Sequence, residues 1–194
     1  MIQTIFGSPV VFLHANSVEK IFSTKACDTL VNNLLQPSNI VNQSYSRGGT
    51  IYGMSLDPNG ELTELIAFLK KTALDYVYLY SDTPVKDLKF YGAWSLLAFQ
   101  GCEIKNHNEV GGPEKSVVVT FYPRVPTGGA ELTFIHNGKY HDWVSECSEN
   151  DLVRVSVNDG TIVIFDNIIL HAVSPHKVTA PRMCITAEFA IESA

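Results

Sequence analysis

The chain has 194 residues, 45% hydrophobic and 18% charged, with ten Phe, eight Tyr and two Trp. That is enough to bury the core of one domain, and too apolar for a disordered chain. The net charge of −6 gives no sequence-wide attraction to phosphate backbones or anionic lipid, which argues against nucleic acid as a partner.

The four cysteines, Cys27, Cys102, Cys147 and Cys184, are scattered with no CxxC spacing. They read as buried, reduced thiols in a reducing compartment rather than a disulfide framework or zinc site. The opening MIQTIFGSPVVFLHANS has no basic start, and no run approaches the roughly 20 apolar residues that cross a bilayer. A soluble cytoplasmic protein with no membrane association is therefore expected.

In chain order, the apolar run 9–13 reads as a strand, followed by a helix over 24–36 that stops before Pro37, with Leu30, Leu34 and Leu35 as its buried stripe. The polar stretch 42–50, containing Arg47, Gly48 and Gly49, reads as a mobile loop, with Arg47 as a candidate lid residue. A second helix is expected over 61–80, with Leu62, Leu65, Ile66, Leu69 and Leu74 at helical spacing.

Beyond Pro84 helix signals give way to short β-branched and aromatic runs at 90–99, 102–109, 116–122, 130–136, 152–157, 161–165, 168–173 and 182–191. Eight strands broken by GGPEK, PTGG and NDG predict a sandwich or jelly-roll barrel with the helices packed outside. One domain over 1–194 is expected, with 1–85 as a helical support region and 86–194 as the barrel core. Trp94 and Tyr91 read as core or pocket wall.

In IKNHNEVGG, His107 and Glu109 stand two apart in a predicted strand, so both side chains project to one face. A second imidazole would complete the two-His, one-carboxylate arrangement that holds non-heme Fe(II) and leaves positions open. His171, in the apolar stretch TIVIFDNIILHAVSP, can supply it from the face shared with Ile169 and Val173. His176 is a competitor, placed in a loop between Pro175 and Lys177; His14, His136 and His141 read as non-ligands. In RMCITAEF, Arg182, Cys184, Thr186 and Glu188 alternate with the core set Met183, Ile185, Ala187 and Phe189. A buried Arg182 needs an anion, and its fork suits a carboxylate. On the bland reading that anion is simply Glu188 or Asp166, and a lone HxE is a solvated strand or turn.

The order HxE, distal His, then Arg resembles the Fe(II)/2-oxoglutarate dioxygenases, in particular their compact prolyl-hydroxylase-like branch. The resemblance covers 90–189, including GGAELTF and SVVVTFYP, while IFGSPVVF is similar to some small bacterial and phage members. It implies a double-stranded β-helix, a jelly-roll or cupin-like barrel. His107, Glu109 and His171 would ligate Fe(II), Arg182 would hold the distal carboxylate of 2-oxoglutarate, and Tyr122 would hydrogen-bond that cosubstrate. The implied activity is O2-dependent hydroxylation of a protein side chain or small metabolite, releasing succinate and CO2, with ascorbate as a supporting reductant. Glu109 departs from the family's usual Asp. Nucleic-acid dealkylases of the superfamily carry a second arginine where this chain has Glu188, which speaks against that branch. The alternative is a non-catalytic cupin-like binding or structural module on the same barrel.

Overall fold

Short strands rich in β-branched and aromatic residues assemble into two facing antiparallel sheets. The computed structural model describes residues 1–14, 22–41, 45–60, 62–80, 84–109, 112–129, 131–136 and 142–193. The strands are β1 (Ile2–Ile5), β2 (Ser8–His14), β3 (Ser46–Arg47), β4 (Ile51–Ser55), β5 (Val85–Ala98), β6 (Glu103–His107), β7 (Ser116–Arg124), β8 (Leu132–Ile135), β9 (Leu152–Val155), β10 (Thr161–Asp166), β11 (His171–Val173) and β12 (Arg182–Ser193). The larger sheet runs β1-β2-β10-β7-β12-β5-β4 and the smaller β3-β6-β11-β8-β9.

The period-2 pattern divides the larger sheet between two apolar layers. Val117, Val119 and Phe121 of β7, Ile162 and Ile164 of β10, and Met183, Ile185, Ala187 and Phe189 of β12 pack with the helices. Their alternates Val118, Tyr122, Val163, Phe165 and Cys184 face the smaller sheet, where they meet Leu132 and Phe134 of β8. The interior set of β12 is thus the one that carries Arg182, as its alternation predicts.

Helix α1 (Thr24–Leu34) is capped by Ser23, whose side chain accepts from the Ala26 amide, and buries Cys27, Leu30 and Leu34. It ends earlier than the expected position 36, because Gln36 precedes Pro37 and is extended. Leu35 falls outside the stripe and is exposed. Helix α2 (Thr63–Tyr80) buries Leu65, Ile66, Leu69, Ala73, Tyr76 and Val77. Ala73 and Tyr76 continue the stripe where Leu74 was expected, and Leu74 is only partly buried. Among the described residues, no helix is long and apolar enough to cross a membrane.

The first 85 residues also contribute strands: β1, β2 and β4 extend the larger sheet and β3 the smaller. The expectation of a mobile loop over 42–50 is corrected at Arg47, which lies in β3, pairs in register with Glu103 of β6, binds its carboxylate at 2.8 Å and stacks over Trp143. Residues 42–44 lie outside the described set. Gly48 and Gly101 both have positive φ, and a Cβ on Gly48 would lie 2.3 Å from the Gly101 carbonyl oxygen, so this backbone approach requires glycine.

Candidate metal centre

β6 and β11 are antiparallel neighbours in the smaller sheet, and their register sets His171 directly opposite His107. Directly opposed side chains are the closest a sheet offers, and the two imidazole rings lie 4.3 Å apart. β10 belongs to the larger sheet and β11 to the smaller, so the chain crosses between them through a turn closed by the Ile169 amide and the Asp166 carbonyl. The strand expected at 168–173 therefore begins only at His171.

Glu109 lies just past β6, in a turn rather than in the strand expected over 102–109, and its amide donates to the Asn167 carbonyl at 2.9 Å. That bond brings its carboxylate to the two rings: Oε1 is 3.6 Å from His107 Nε2 and 3.9 Å from His171 Nε2. One ligand atom from each of His107, Glu109 and His171 falls within 4.8 Å of the other two.

The protonation states suit a cation. His171 Nδ1 faces the Ile169 carbonyl at 3.0 Å and His107 Nδ1 faces that of Lys105 at 2.7 Å. Carbonyls only accept, so both Nδ1 atoms carry a proton, which leaves Nε2 as the nitrogen each ring turns toward the cluster. Burial, reinforced by His107, pulls the His171 pKa down to about 3, so this imidazole is neutral. Burial opposes ionisation of Glu109, yet the neighbouring imidazoles, His107 foremost, outweigh it and hold the carboxyl below its ordinary value. Two imidazole Nε2 atoms and one carboxylate, converging on one point, fit a divalent first-row metal.

Around this centre, Phe165 meets His171 edge-on at 4.9 Å between ring centroids and is itself backed by Phe134. The Tyr45 hydroxyl is hydrogen-bonded to His107 Nε2 at 2.8 Å. The sequence reading missed Tyr45: it precedes a two-residue strand in a polar stretch, and no periodicity marks it.

Arg182 opens β12 and is 2% exposed. Its guanidinium stacks over the Tyr122 ring at 4.9 Å, and its Nε has no hydrogen-bond partner. Neither bland partner reaches it: Glu188 accepts a short hydrogen bond from Ser116, and Asp166 accepts one from Tyr76. Among the described residues Arg182 makes no ion pair. Tyr122 is equally enclosed, and burial pushes its hydroxyl well above the usual tyrosine range. Cys184 and the bonded pair Thr120 and Thr186 follow Arg182 along the same interior face.

The competing ligand His176 is directed elsewhere: its Nε2 binds the Ala180 carbonyl at 2.7 Å and closes a loop. His136 packs edge-on to Phe6, and His14 ends β2 exposed. His141 lies outside the described residues. All four cysteines are free.

No protein-family model matches the chain, and no curated protein does. Solved structures do. An oxidoreductase of the 2OG-Fe(II) oxygenase family from Burkholderia pseudomallei superposes with a TM-score of 0.61 at 10% identity, over 93% of this chain and 84% of that one. A prolyl-4-hydroxylase from Pseudomonas putida gives 0.61 at 13% identity, over 93% and 91%. The fold is that of the 2OG-Fe(II) oxygenases. The non-heme alpha-ketoglutarate-dependent carbocyclase SnoK of nogalamycin biosynthesis shares the oxygenase fold too, with a TM-score of 0.66 at 12% identity over 94% of this chain and 79% of that one.

Proposed function

We propose that the protein is an Fe(II)- and 2-oxoglutarate-dependent oxygenase that hydroxylates a protein side chain or a small molecule. The observation that carries this is the guanidinium of Arg182, sealed in the barrel interior with no counter-charge among the described residues, in a fold that also brings His107, Glu109 and His171 together. An uncompensated buried cation is costly, so the fold keeps it for an anion that arrives from outside. A dicarboxylate able to chelate a metal at one end and meet an arginine fork at the other satisfies both features.

In this reading His107, Glu109 and His171 hold Fe(II), and Arg182, stacked on Tyr122, anchors the distal carboxylate of 2-oxoglutarate. With both bound and O2 supplied, one oxygen atom enters succinate as CO2 leaves, and the other enters the substrate as a hydroxyl. The chain's own contribution is positional. The Ile169 and Lys105 carbonyls fix both ligand imidazoles in the Nε2-donating form, and Phe165 with Phe134 keeps water from the rear of His171. Among the structural matches, a prolyl hydroxylase in complex with a hypoxia inducible factor peptide fragment from Trichoplax adhaerens supports a protein substrate, and the carbocyclase of nogalamycin biosynthesis supports a small molecule.

The test compares three variants. His107→Ala and His171→Ala are expected to lose Fe(II) retention in metal analysis after anaerobic loading. Arg182→Ala is expected to keep iron while 2-oxoglutarate binding weakens on the order of 100-fold, the loss of a charge-assisted pair. Equal iron content in all three contradicts the ligand set. A wild-type protein that takes up neither iron nor 2-oxoglutarate is a non-catalytic module.

A further inference from the structure

β12 carries two charged side chains on its interior face, six residues apart. Strand geometry puts them roughly 20 Å from each other. Arg182 is accounted for by the cosubstrate; Glu188, at the other end, is not. It is 3% exposed, and Oε1 takes the Ser116 hydroxyl while Oε2 accepts nothing from the described residues.

Glu188 borders the metal cluster. The Gly112 amide bonds the Glu109 carbonyl at 3.2 Å, and a Cβ on Gly112 would lie 2.8 Å from Glu188 Oε1. The same Cβ would lie 3.0 Å from Cε1 of Tyr91. Tyr91 is the unpaired residue of a β5 bulge opposite Glu188 and Phe189, and it is 54% exposed. A buried carboxylate with one free oxygen thus stands beside an aromatic ring that reaches solvent, close to Glu109. No described Lys or Arg pairs with it, and a carboxylate hidden from water gains most from a cation. An aromatic ring nearby can add a second attraction for the same charge.

We propose that Glu188, with Tyr91 at its rim, selects a substrate carrying a cationic group, an amine or guanidinium, and orients it toward the metal centre. This rests on the oxygenase reading above. Ser116 fixes the rotamer of the carboxylate, leaving Oε2 for the substrate N–H. The approach is from the side opposite Arg182, so cosubstrate and substrate do not compete for one end of the barrel.

The experiment uses the full chain loaded with Mn(II) and 2-oxoglutarate, with calorimetric titration of Nα-acetyl-lysine amide and Nα-acetyl-arginine amide. Their neutral counterparts are Nα-acetyl-norleucine amide and Nα-acetyl-citrulline amide, and agmatine serves as the small-molecule arm. The wild type is expected to bind the cationic probes at least about 10-fold more tightly than the neutral ones, the worth of one charge-assisted hydrogen bond. In Glu188→Gln, which is isosteric and can still accept from Ser116, the ratio is expected to fall to within about two-fold. Glu188→Arg is expected to turn the preference toward Nα-acetyl-glutamate amide. Wild-type protein that binds Mn(II) and 2-oxoglutarate yet ignores charge, or binds no cationic probe, overturns this proposal alone. A ratio retained in Glu188→Gln does the same. Failure of Mn(II) and 2-oxoglutarate to bind overturns the oxygenase reading and this proposal with it.

Discussion

His171 is neutral because protein surrounds it, and that has a thermodynamic consequence. Its folded pKa, near 3, lies below the ordinary 6.5, so between those values the unfolded chain binds a proton that the folded one refuses. Stability from this residue is therefore complete above pH 6.5 and declines as the pH falls, by about 1.4 kcal/mol per unit once well below 6.5. Urea titrations of metal-free protein at pH 7.0 and 5.5 are expected to differ by about 1 kcal/mol from this residue, and His171→Gln is expected to remove most of that difference. A wild-type stability that is flat over this interval contradicts a neutral buried His171. Most of the cluster was legible at this scale, because HxE spacing, an imidazole in an apolar run and the alternation around Arg182 all leave marks in the sequence. Tyr45 was not legible, since a hydroxyl that reaches His107 from a distant turn follows no local period.

The helices and strands divide their work along the two faces of the larger sheet. Leu69 of α2 is fully buried against the outer face, within the layer that includes Val119 and Ile185. Leu69→Ala is expected to cost about 2–5 kcal/mol in urea unfolding by opening a cavity there. It should leave Mn(II) affinity in the folded protein nearly unchanged, because the ligands sit on the smaller sheet. A large affinity loss would mean that the helical layer sets the ligand geometry. The expected strands correspond to β2 and β5 to β12 because most are short β-branched or aromatic runs between Gly, Pro, Asn or Asp breaks. β1, β3 and β4 were unread for separate reasons. Most of β1 is exposed, so its pattern is weak; β3 has two residues, too few for any period; and β4 carries Gly53 at its centre. Register was also invisible, since it is pairing with Asn167, not strand regularity, that turns Glu109 toward the imidazoles.

For the molecule as a whole, the centre joins segments far apart in the chain, so an ion held there would favour the folded state and not the unfolded one. At a free Mn(II) concentration 100 times its dissociation constant, linkage adds about 2.7 kcal/mol. That corresponds to a rise in melting temperature of roughly 5–10 °C for a chain of this size. Differential scanning fluorimetry should register the rise, EDTA should reverse it, and His107→Ala should abolish it. An identical rise in His107→Ala would place the stabilising ion elsewhere.

β12 is the last strand described along the chain, yet it lies inside the larger sheet, hydrogen-bonded to β7 on one side and β5 on the other. Until it joins them, those two partners have unsatisfied edges facing the gap between them. Closing the sheet between β7 and β5 and delivering Arg182 are consequently one event, because the strand that fills the gap opens with that residue. A chain cut just before that arginine should be captured by chaperones or aggregate, whereas one that includes the whole of β12 should close the sheet.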